Sequence, residues 1–217
     1  SSRHRKWAGR RRPAASPSPW ERWPPSTPAP PRPSTTVHPT LIFGQVGVIG
    51  GDGKVFSPHG VALNNDGSKL YVGLENADVP GIVVYDVKAR KILKKLELLL
   101  EGGHYLAIQP GTDKLYYPHR NDNRVVVIDT KTDRILKIIP VKGGPVGVAF
   151  APNGEVWLHE DGDGSVTVVD SKTDDVKAVI PTGGTGAGRI AVSPDGKFAA
   201  STHSGSGDVA IIDTAAR

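Results

Sequence analysis

No cysteine occurs among the 217 residues, so neither a disulfide framework nor a thiolate-ligated metal site can form. Methionine is absent as well, even at position 1, and the expectation is a processed chain or a piece of a longer one. There is no run of 18 apolar residues, which leaves no candidate transmembrane helix. Residues 1–40 lack the apolar core of a secretory signal peptide. Arg10, Arg11 and Arg12 are followed by the stretch Pro13 to Pro17, which does not read as a twin-arginine signal either. Acidic residues are scarce at one end only. Residues 1–43 hold eight Lys or Arg against the single Glu21, a net +7, whereas the whole chain is +5 and the remainder therefore about −2. The repeat region has no basic excess with which to engage phosphates, so nucleic-acid binding is not expected.

Two regions differ in character. Residues 1–40 hold ten of the nineteen prolines and almost no aliphatic pattern. Such a segment buries too little apolar surface to offset its ordering entropy, and its prolines favour extended PPII geometry. The expectation is a disordered Pro/Arg-rich tail over 1–40. From about Leu41 the pattern changes to period two, and "FGQVGVIGGDGKVFS" reads as the last strand or two of an incomplete blade.

What the chain has in abundance is a repeat of about 42 residues. Each copy runs through a small-apolar stretch, a Gly/Asp/Asn turn, a second apolar stretch, a polar loop and a Val/Ile run closed by Asp. The closing residues are Asp86, Asp129, Asp170 and Asp213, and each opening stretch carries an alanine, Ala62, Ala107, Ala149 or Ala191. Strand-like segments recurring at this period predict an all-β protein, a β-propeller of about four four-stranded blades in an incomplete ring. The blades fall at about 57–103, 104–144, 145–186 and 187–217, within a propeller region of 41–217, and the last copy stops before its outer strand. "KILKKLELLL" has helical propensity, but its place in the repeat, matched to "RILKIIPV", makes it a strand.

The segments "NDGSKLYVGLEN", "NRVVVIDTKTDRILKIIPVKGGPVGVAFAPNG", "GSVTVVDSKTDDVKAVIPTGG" and "SPDGKFAAS" resemble the YVTN-type β-propeller repeat family, including its YncE-like members, over about residues 57–215. The resemblance implies a periplasmic or extracellular propeller. It also implies relatives that include lactonases, propeller subunits of dehydrogenases and haem or copper proteins. The family often has seven blades where this chain shows four. Self-association to complete the ring is therefore one expectation, because an open arc exposes apolar blade faces.

Strand order places the start of each first strand and the end of each second strand on one rim. His59 and His104 open first strands, while His119, His159 and His203 close second strands, so five of the seven histidines map to that rim. Folding "HYLAIQPGTDKLYYPH" about its turn sets His104 across from His119. Arg120, Glu160, Asp161 and Arg189, with Glu75 alongside, join the same rim. The principal expectation is a binding or scaffold module that contacts a partner protein or small ligand through these residues and needs no cofactor. The alternative is a lactonase-like hydrolase or an oxidoreductase-associated propeller. It would carry a metal ion or cofactor on His104 and His119, or an acid–base site at Glu160 and Asp161 with His159 and His119. "TGGTGAGR" leads into a strand and so lacks the helix N-terminus of a phosphate site.

Overall fold

The computed structural model describes residues 58–75 and 80–217. The Pro/Arg-rich tail and the strand pattern expected before residue 57 lie outside the described residues. Fifteen strands and no helix are found among the described residues, so none of them forms a helix long and apolar enough to cross a membrane.

The strands form four antiparallel meanders, each from one sequence repeat. The first contains β1 (Pro58–Leu63), β2 (Lys69–Leu74), β3 (Gly81–Asp86) and β4 (Lys91–Glu97), so the Leu/Lys-rich segment is indeed a strand. The second contains β5 (Ala107–Ile108), β6 (Lys114–His119), β7 (Arg124–Asp129) and β8 (Arg134–Pro140). The third contains β9 (Pro145–Phe150), β10 (Glu155–Glu160), β11 (Val166–Asp170) and β12 (Asp175–Ile180). The fourth has three strands, β13 (Ile190–Val192), β14 (Phe198–His203) and β15 (Asp208–Asp213). The marker alanines occupy the four inner strands, and the marker aspartates end the four third strands. Those aspartates recur for a local reason. Asp129, Asp170 and Asp213 each accept a backbone N–H two residues on, at 2.8–2.9 Å, and Asp86 accepts one from Ala89 at 2.7 Å. A short side chain that bonds its own turn starts the hairpin to the next strand.

Period two sends alternate side chains to opposite neighbours. Leu115 and Tyr117 of β6 face the first sheet, where they pack with Tyr71, Ile82 and Val84. Tyr116, between them, faces the third sheet and packs with Val156, Leu158 and Val169. Trp157 turns toward the fourth, against Ile190, Ala199 and Ile212. Beyond the fourth sheet no further sheet packs among the described residues, and Phe198, Val209 and Ile211 are 49%, 57% and 67% exposed.

A polar staple closes each interface. The residue that opens a second strand, and the aromatic two positions later, reach into the next sheet. There they meet the residue four after its closing aspartate. Lys69 Nζ lies 3.0 Å from Asp133, and Tyr71 Oη donates to Asp133 at 2.5 Å. Lys114 Nζ lies 2.7 Å from Asp174, and Tyr116 Oη donates to it at 2.6 Å. Burial alone would raise the Asp133 carboxyl, but the Tyr71 hydroxyl and the Lys69 and Lys94 ammoniums outweigh it and hold it low. Burial, then the Asp133 bond, pushes the Tyr71 phenol far up. At the third interface the polarity reverses. Glu155 stands in the lysine position, Trp157 in the tyrosine position, and Arg217 in the aspartate position. Arg217 donates to both Glu155 oxygens and sits 5.1 Å over the Trp157 ring.

Candidate functional site

The rim where β1 begins and β2 ends brings His59 and Glu75 together, because Pro58 pairs with Leu74 across the hairpin. His59 Nε2 lies 3.8 Å from Glu75 Oε2. The second sheet supplies the rest. Its inner strand is only Ala107–Ile108, and the preceding segment runs close against β1. A Cβ on Gly60 would fall 2.7 Å from the His104 carbonyl oxygen, so only glycine permits this approach. The His59 and His104 rings are therefore in contact, their centroids 4.2 Å apart, and Tyr105 meets both edge-on at 4.4 Å. From the fourth sheet Arg189 reaches over Tyr105, its guanidinium carbon 3.4 Å from the ring centroid. Three sheets thus contribute to one cluster.

Its electrostatics follow from burial. His104 is 8% exposed, and burial, with His59, Arg120 and Arg189 adding repulsion, lowers its pKa to about 4. Its imidazole is neutral at pH 7. The Nδ1 atoms of His59 and His104 are buried and make no hydrogen bond. The donor atoms of His59, Glu75 and His104 all lie within 4.8 Å of one another.

The remaining expected site residues are placed differently. His119 does not stand across from His104: it bridges to Gly103, while the His104 N–H bonds the Pro118 carbonyl at 2.9 Å. A register offset of one residue sends the two side chains to opposite faces, so the expected His104–His119 pair is not formed. His119 is fully buried beside Tyr117, at 4.5 Å between centroids, and burial lowers its pKa to about 4. His159 accepts from Ser201 Oγ at 2.8 Å and donates from Nε2 to the Gly186 carbonyl at 3.3 Å. Burial, chiefly, lowers its pKa. His203 donates to Asp208 at 2.7 Å and meets the Thr182 hydroxyl at 2.9 Å. The glycine-rich loop serves this ring: a Cβ on Gly184 would fall 2.3 Å from it.

Glu160 is buried, and burial raises its pKa. One oxygen accepts from Thr167 Oγ1 and the other from the Gly143 N–H, which ties the β8–β9 loop to β10. Asp161 pairs with Arg120 at 3.0 Å beside an open groove of about 460 Å³ lined also by Asn123, Lys142 and Asp163. His159, Glu160 and Asp161 are each engaged with partners of their own, so the expected acid–base set does not assemble. Sequence reasoning missed Tyr105, whose only signal is its place beside His104. It also missed the staple, which was written as "KLY" at residues 69–71 and 114–116.

Four such meanders, packed in chain order with a shared rim, define a protein of the β-propeller type. No known family profile matches the chain, and no curated protein does. Among solved structures it is similar to hydrazine synthase of Kuenenia stuttgartiensis, with 22% identity and a TM-score of 0.66 over 74% of this chain and 47% of that one. It is also similar to a chain of the mitotic checkpoint complex, with 16% identity and a TM-score of 0.63 over 72% of this chain and 49% of the other. Both have β-propeller-type folds. The chain spans about half the length of each. Likeness at this identity establishes the fold.

Proposed function

We propose that this chain is a YVTN-type, YncE-like propeller that works as a binding module outside the cytoplasm. Its contact surface is the rim around His59, His104, Tyr105 and Arg189, and its partner is a protein or a small ligand. The observation that carries this reading is the Arg189–Tyr105 stack. Arg189 is exposed, and no described residue accepts a hydrogen bond from its guanidinium. The aromatic ring orders the cation while its planar donor edge stays available for a carboxylate or phosphate group. Propeller rims present loops from several blades on one rigid base, a common way for such folds to recruit partners. Thermal unfolding of the full chain with a panel of carboxylate and phosphate compounds tests this. A stabilising compound whose effect disappears in Arg189→Ala supports the rim as the binding surface. An effect equal in both proteins, or none across the panel, refutes it.

A further inference from the structure

Two imidazoles and a carboxylate converge at this rim from three separate chain segments: the start of β1, the residue after β2, and the segment before β5. His104 is more than nine-tenths buried, yet its Nδ1 and that of His59 lack any hydrogen-bond partner. Buried polar atoms are almost always satisfied, and an orphan points to an unseen water or ion. The two rings are in contact, their centroids 4.2 Å apart and their planes tilted by 43°, an arrangement that is repulsive once both are protonated. It is stable with neutral rings whose nitrogen lone pairs share a cation, and a carboxylate to balance the charge.

We infer that His59, Glu75 and His104 form a site for a divalent transition-metal ion, zinc being the best match to an N₂O donor set. This deepens the rim reading and rests on it only for the surroundings of the ion. Around zinc, nitrogen and oxygen donors bind at about 2.0–2.2 Å, so donor atoms within 4.8 Å of one another need only small side-chain rotations to close on it. Three protein donors leave a further coordination position, as in zinc sites that take a ligand rather than purely structural ones. The free donors of Arg189, stacked over Tyr105 beside His104, suit a negatively charged group in that position. His119 is excluded from the donor set by its register, and His159 and His203 by hydrogen bonds of their own.

Calorimetric titration of the chelator-treated full chain with zinc chloride tests the site. One ion per chain is expected, with affinity reduced at least about tenfold in His59→Ala, His104→Ala and Glu75→Gln. Affinity should be unchanged in Asp195→Asn, an exposed acidic residue in the turn between β13 and β14 and outside the donor set. Glu75 is half-buried, so Glu75→Gln keeps the test decisive if a histidine variant fails to fold. No binding by the wild type, or equal binding by wild type and Glu75→Gln, overturns the metal site. Either result leaves the Arg189 experiment free to succeed or fail by itself.

Discussion

Reversing the charges at the third interface tests the staple most directly. Glu155 accepts from Arg217 at 2.7 Å and from Lys177 at 2.8 Å, and its side chain is only 5% exposed. Arg217 first, then Lys177, hold the carboxyl at about 2 instead of 4.5, which corresponds to roughly 3 kcal/mol of stabilisation. Because the folded pKa is depressed, that stabilisation is complete above pH 4.5 and is lost as pH falls towards 2. Glu155→Lys removes it and gathers three cations, so a cost of about 3–5 kcal/mol is expected. Adding Arg217→Asp recreates the Lys–Asp polarity of the other two interfaces. The double variant should recover at least about 2 kcal/mol, a positive coupling of the kind double-mutant cycles isolate. Urea unfolding followed by the fluorescence of the buried Trp157 reads this as a midpoint shift of about 1–2 M. A double variant no more stable than Glu155→Lys would refute the staple. In the same assay Glu155→Gln should be less stable at pH 7 and lose less between pH 4.5 and 2 than the wild type.

Three smaller experiments follow from the packing. Tyr71→Phe removes one hydrogen bond to a charged carboxylate and should cost about 1.5–3 kcal/mol in chemical denaturation. Gly60→Ala should disturb the His59–His104 contact without altering either ring, seen as a weakened zinc titration and histidine NMR shifts unlike those of the wild type. Ile211→Lys, at the exposed outer face of the fourth sheet, should leave the unfolding midpoint within about 0.5 kcal/mol and lower concentration-dependent association in sedimentation. Unchanged association would show that this face does not drive it.

The strands were legible because a half-buried strand must alternate and because each closing aspartate has a local task in its own turn. The marker alanines and aspartates therefore fell in the predicted elements, and the fourth sheet showed three strands. The staple was less legible, since its partners stand 58 to 64 residues apart and meet only after sheets pack. The rim cluster had the same difficulty. Equal repeat positions assign His59 and His104 to one rim, and their ring centroids lie 4.2 Å apart. Their contact, however, accompanies the close approach of the segment before β5 to Gly60, which composition does not announce. His119 stands one residue out of line with His104 because the register shifts between the Ala107–Tyr116 pair and the Gly103–His119 bridge. Arg189 was selected as a rim residue, but its stack on Tyr105 crosses from the fourth sheet to the second.

The reversed polarity at the third interface also bears on how the chain assembles in time. Repeats this alike are prone to skipping, where a newly made sheet settles on the wrong neighbour. Were the second sheet to settle on the fourth, Lys114 would face Arg217. Were the first to settle there, Lys69 would face the same cation. Among the described sheets only the third, with Glu155, offers Arg217 an acidic partner, so the reversed pair labels the junction of the third and fourth sheets, whereas the two Lys–Asp staples are interchangeable with each other.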